Sequence, residues 1–146
     1  MFKTMSTSRK TLFVISWVMI VAAVVGVVFG LLDLTGVFDW DQALNAEAVH
    51  RTQAVGLSLG VVIIISGMIE LVLGFLGLLS SKEPKYIRWY SIPVDIIFFL
   101  EFIGLIVSFA TNSLSSSSWN VIFTGIAGLA GWLVRKEYYE NRMAEA

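Results

Sequence analysis

Three observations predict an all-α integral membrane protein, a four-helix transmembrane bundle of up-and-down topology with both termini in the cytoplasm. Of the 146 residues, 57% are hydrophobic and only 14% charged, and the mean hydropathy of +0.81 implies more apolar surface than a domain of this size hides in one core. The apolar residues gather into four long runs divided by polar stretches. Nine of the ten lysines and arginines fall on one side of a bilayer if all four runs cross it, as the positive-inside rule requires.

The first run, 11–32, reads TLFVISWVMIVAAVVGVVFGLL without a charge. At about 1.5 Å per residue it covers a hydrocarbon core of roughly 30 Å. Lys3, Arg9 and Lys10 precede it as in a signal peptide. The run nevertheless exceeds the usual ~7–15 residues of such a segment, and no small-residue cleavage site follows, so it is expected to stay as a span. Residues 33–53 form the outer loop, where Asp39 or Asp41 suits an N-cap before QALNAEAV. The second, third and fourth spans are expected at 54–79, 92–110 and 119–134. The fourth is the shortest, and Ser115 to Ser118 can extend it into the headgroups with a serine as N-cap. The tail 135–146, RKEYYENRMAEA, continues that helix, with Lys and Glu supporting each other along its surface. No Pro- or Gly-rich linker divides the chain, which reads as one domain.

Orientation follows from charge placement. Lys3, Arg9 and Lys10 flank the first span, Lys82, Lys85 and Arg88 separate the second from the third, and Arg135, Lys136 and Arg142 follow the fourth. That side is assigned to the cytoplasm, and the protein to the cell membrane. The opposite side holds Asp33, Asp39, Asp41, Glu47 and Arg51. Trp40 and Trp119 suit the outer interface, and Tyr86, Trp89, Tyr90, Trp132, Tyr138 and Tyr139 the inner one.

Composition narrows the chemistry. Without cysteine there is no disulfide, thiolate metal site or thiol catalysis, and the single histidine, His50, makes a haem or a multi-histidine metal centre unsuited to this chain. The net charge of -1 is uninformative as a total, since the placement of basic residues carries the signal, and no nucleic-acid partner is suggested. No nucleophile–base pair, metal set or cofactor motif stands out, so neither an enzyme nor a bound cofactor is expected. Asp39, Asp41, Glu47 and His50 resemble an outer cation site only loosely, since helix capping and loop solubility explain them.

Glycines recur at helix-packing spacing. Gly26 and Gly30, and Gly56 and Gly60, form two G-x-x-x-G pairs; Gly67 and Gly74 follow in the second span, and Gly125, Gly128 and Gly131 in the fourth. Small residues let backbones approach closely in lipid. Packing inside one bundle is the first reading, and the first helix is the better candidate for an oligomer interface. Asp95, after Ser91-Ile92-Pro93, is expected to cap the start of the third helix, where the dipole favours an anion and proline is tolerated.

Glu70 and Glu101 stand apart, because each lies ten residues from the end of the loop 80–91, at about 15 Å from the turn. Gly67, Gly74 and Gly77 share a helix face with Glu70, and Gly104 and Ser108 share one with Glu101, so both faces are expected to point into protein. A carboxylate at that depth costs about 2.5–3.5 kcal/mol even on lenient scales. Two such charges ~6 Å apart would repel by about 3 kcal/mol more at an effective dielectric near 20. No span holds a lysine or arginine. Either the pair keeps one or two protons, hydrogen-bonded to each other, to backbone or to Thr124, or a cation or a basic helix of another protein compensates it.

In size and helix count the chain resembles the small multidrug transporters, which carry their essential membrane glutamate in the first helix; 11–32 holds none. The large first outer loop resembles that of claudins, without their paired cysteines. Both likenesses are architectural. Two functions follow: a structural or accessory membrane subunit or homo-oligomer, whose partners are the bilayer and other membrane chains, or a proton- or cation-coupled transporter or channel using Glu70 and Glu101. The topology makes a testable prediction in this cysteine-free chain. A cysteine at Lys85 should resist an impermeant thiol reagent in intact cells and react once the membrane is opened; labelling from outside would overturn the orientation.

Overall fold

In an apolar medium every backbone N–H and C=O must find its partner within the segment, which a helix achieves. The computed structural model describes residues 5–37, 59–110 and 117–144, and these form α1 (Thr7–Leu34), α2 (Leu59–Lys82), a short 3-10 turn (Pro84–Tyr86), α3 (Ile87–Ala110) and α4 (Ser117–Ala144). Three stretches, Thr7–Leu34, Gly60–Lys82 and Pro84–Val107, are long and apolar enough to cross a membrane. The expected fourth span is not among them, and α4 runs unbroken from its apolar half into the charged tail as far as Ala144. Lys136 and Glu140 approach to 3.8 Å there, one turn apart. The expected N-cap at Asp39 or Asp41, the cluster with Glu47 and His50, Gly56, and the loop serines 115 and 116 lie outside the described residues.

The helix ends follow from local chemistry. Ser6 caps α1: its Oγ accepts from the Arg9 N–H at 3.4 Å and its carbonyl from the Lys10 N–H at 3.0 Å. Gly36, at φ 70°, closes the other end, where the Val37 N–H bonds the Leu32 carbonyl at 3.1 Å and the Gly36 N–H that of Asp33 at 3.0 Å. This is a Schellman ending, in which glycine takes the left-handed position at little steric cost.

Between α2 and α3 only Glu83 departs from helical geometry, with φ -124° and ψ 95°, the extended conformation that a following proline imposes. Pro84 opens the 3-10 turn. Consequently α3 begins at Ile87 rather than Ile92, and Pro93 lies inside the helix. Asp95 is therefore more than two turns from the helix start, and its expected capping role is not what the structure shows.

The chain divides into two compact units, Met1–Trp17 with Leu73–Ala146, and Val18–Val72. In the second, α1 and α2 touch backbone to backbone. A Cβ on Gly30 would lie 2.8 Å from the Gly60 carbonyl oxygen, and one on Gly60 would lie 2.9 Å from that of Gly30. Gly67 repeats the approach, with the Ala23 carbonyl 3.0 Å and the Val27 methyl 2.9 Å from its Cβ position. Met19, Ile20 and Ala23 are buried in this unit.

In the first unit Tyr90 of α3 is fully buried, a correction to its expected place in the inner aromatic belt. The ring fits because two neighbours lack side chains: its edges lie 2.9 Å from the Cβ positions of Gly77 on α2 and Gly131 on α4. The hydroxyl donates to the Ala127 carbonyl at 3.2 Å. Leu12, Ile87, Val94, Ala130 and Val134 complete this core. Replacing Gly131 by alanine should destabilise the protein by about 1–3 kcal/mol through overpacking against the ring. Thermal unfolding in detergent measures this, with Gly26→Ala as a neutral reference. Equal midpoints would show that the slot is looser than the geometry implies.

Candidate functional site

The polar side chains of the first unit concentrate at the end that joins α2 to α3. Helix α2 ends with carbonyls that have no partner within the helix. Arg9 of α1 supplies one, donating through Nε to the Ser81 carbonyl at 2.7 Å and through Nη2 to the Lys82 carbonyl, so a cation meets the negative end of a helix. Ser6 Oγ donates to Glu137 Oε2 on α4 at 2.8 Å, and the buried Ser80 and Ser81 hydroxyls each return to α2 carbonyls at 2.7 Å. The start of α1 is thereby tied to the end of α2 and to α4.

Between α3 and α4 the glycines make room for larger partners. Phe98 lies over Gly125, its ring 3.1 Å from the Cβ position, and Asp95 Oδ1 lies 3.5 Å from that of Gly128. The other oxygen of Asp95 stands 4.0 Å from Arg135. Farther toward the tail, Arg88 Nε donates to the Tyr139 hydroxyl and its guanidinium lies 5.4 Å from that ring. Tyr139 packs edge-on against Tyr138 at 5.6 Å, and Arg142 lies 5.8 Å from the Tyr138 ring.

Glu101 is half-buried on α3 and meets α4. Thr124 Oγ1 donates to its Oε2 at 2.6 Å and lies 2.8 Å from the Asn120 carbonyl oxygen. Thr124 was the expected neighbour at this depth, and the structure brings the two together. Gly104, expected to face protein beside Glu101, is exposed and has nothing within 4 Å of its Cβ position. That corrects the inward reading of this face, because α3 turns Gly104 away from α4 while Glu101 stays at its edge. The side chain of Ser108 is outside the described residues. Glu70, half-buried on α2, belongs to the second unit. It lies one turn beyond Gly67 and one before the buried Gly74.

Gly26 differs from Gly30. It has nothing within 4 Å of its Cβ position, whereas Gly30 sits against Gly60. Ala22, Val25 and Phe29 around it are exposed. Sequence reasoning missed the roles of Arg9, Ser6 and Tyr90. The S-x-x-R spacing at 6–9 announces a helix start but not the reach of Arg9 to another helix, and Tyr90 has the composition signal of an interface residue. Among the described residues no three His, Asp or Glu side chains come together as a metal site.

These features define a small all-helical protein with three helices apolar enough to span a membrane. Comparison with protein-family models, curated proteins and solved structures finds no match to the chain.

Proposed function

We propose that the protein is a structural or accessory subunit of a cell-membrane assembly, with both termini in the cytoplasm, and that the outward face of α1 carries its helix–helix contact. The open position at Gly26 supports this most. Ala22 and Gly26 form a small-x-x-x-small pair on an exposed surface, flanked by Val18, Val25 and Phe29. Such a groove accepts a second helix at close range. The polar groups favour the same reading, because Arg9, Ser6 and Asp95 hold helices to one another.

A second reading, proton or cation handling by the span carboxyls Glu70 and Glu101, draws support from Thr124. The Thr124 hydroxyl lies 2.6 Å from Glu101 Oε2, 2.8 Å from the Asn120 carbonyl oxygen and 3.3 Å from that of Val121. That hydroxyl holds the Glu101 carboxyl against α4, and an ionisable side chain fixed within an apolar segment is a candidate for ion handling.

The two readings separate experimentally. Gly26→Leu should leave the midpoint of thermal unfolding near that of the parent, since the chain itself leaves this position open, yet abolish disulfide-linked dimers formed through Ala22→Cys or copurification of a partner. Gly30→Leu should lower the midpoint. An assembly that survives Gly26→Leu sinks the α1 interface. For the second reading, Glu101→Gln should keep the midpoint of thermal unfolding near that of the parent and lose ion flux in liposomes. Flux that persists would leave Glu101 a packing residue.

A further inference from the structure

Arg88 and Arg142 are the cations at this end that meet aromatic rings with no carboxylate. Lys85 pairs with Glu83 at 2.7 Å, Lys136 with Glu140 at 3.8 Å and Arg135 with Asp95 at 4.0 Å. Among the described residues neither Arg88 nor Arg142 has such a partner. Instead each lies on its own ring of the edge-packed tyrosine pair, Arg88 on Tyr139 and Arg142 on Tyr138. The Tyr139 hydroxyl takes the Nε of Arg88, leaving the terminal nitrogens of that planar fork for an incoming acceptor. Guanidinium forks match phosphate oxygens in pairs.

What lies below Arg88 selects the kind of phosphate. Along the same face of α3, at helical spacing, follow Ile92, Ile96, Phe99 and Ile103, with relative exposures of 52%, 56%, 64% and 45%. The neighbouring Trp89 is 70% exposed, an aromatic suited to the headgroup level. From Arg88 to Ile103 the stripe extends about 22 Å, longer than the ~15 Å half-thickness of a hydrocarbon core. A soluble anion would use the guanidiniums alone, whereas a phospholipid uses the guanidiniums and the stripe together.

We infer that the Arg88–Tyr139–Tyr138–Arg142 cluster binds the phosphate of an anionic phospholipid, whose acyl chain lies along Ile92, Ile96 and Phe99 of α3. The phosphate accepts from the terminal nitrogens of Arg88 and from Arg142, each guanidinium held against its own tyrosine ring. This site is independent of the α1 contact.

The test places the full-length protein in phosphatidylcholine bilayers and compares spin-labelled phosphatidylglycerol with spin-labelled phosphatidylcholine in the motionally restricted lipid. The parent should prefer phosphatidylglycerol. Arg88→Gln with Arg142→Gln should weaken that preference by up to about fivefold per guanidinium removed. Removing two charges elsewhere at the same end, by Lys82→Gln with Lys136→Gln, should weaken it less, because a lysine contributes its charge without the fork. If the glutamine pair does not fold, as judged by thermal unfolding in detergent, Arg88→Lys with Arg142→Lys decides, because it keeps the charge and loses the fork; the preference should fall. Equal losses in the arginine and lysine pairs, an undiminished preference in the lysine-for-arginine variant, or displacement of the lipid by inorganic phosphate would each overturn the inference. Absence of any restricted lipid would instead count against membrane insertion itself.

Discussion

The slot that holds Tyr90 sets the relation between α3 and α4. Lipid tails are as apolar as leucine, so helices in a membrane associate through close packing and hydrogen bonds rather than through the hydrophobic effect. A tyrosine ring wedged against two glycines, with its hydroxyl on the Ala127 carbonyl, supplies both. Once Tyr90 lies against Gly131, the antiparallel ladder above it has one register. Asp95 comes opposite Gly128, Phe98 opposite Gly125, and Glu101 opposite Thr124. The contact made by a span carboxyl thus follows from a ring three turns away.

Electrostatics divides the cations of the first unit by what they touch. Arg9 is consumed by helix-end carbonyls, where its charge offsets the dipole. Lys85, Arg135 and Lys136 have acids within 4.0 Å; exposed pairs of this kind add little stability, with a median of about 0–1 kcal/mol. Arg88 and Arg142 differ from these three in resting on tyrosine rings with no acid in reach among the described residues.

In the second unit the reciprocal contact of Gly30 and Gly60 brings two backbones together at a distance no other residue permits. Four residues earlier, Gly26 lies about 40° around the helix, which is enough to turn it off that contact. A single G-x-x-x-G pair therefore has one glycine engaged within the chain and one open, and the open one shares its surface with exposed apolar side chains.

Much of the architecture was legible in the amino-acid order. The apolar runs at 11–32, 54–79 and 92–110 become helices because segments of that length and composition have no other way to satisfy their backbones in lipid. The continuation of the fourth helix through the charged tail and the nearness of Thr124 to Glu101 were also readable, since both depend on helical rise and spacing. Less was legible where contacts join distant segments. Nothing local distinguishes Tyr90, buried in a slot, from Trp89, exposed beside it, because the difference is made by Gly77 and Gly131 on other helices. Likewise Pro93 and Asp95 read as a helix start until Pro84 is seen to begin the helical turn earlier. Composition and periods of a few residues were enough for the helices and their apolar character. Which glycine packs and which stays open, and which arginine meets an acid and which a tyrosine ring, depend on the register of one helix against another, because a side chain's neighbours across helices are not set by its own place in the chain.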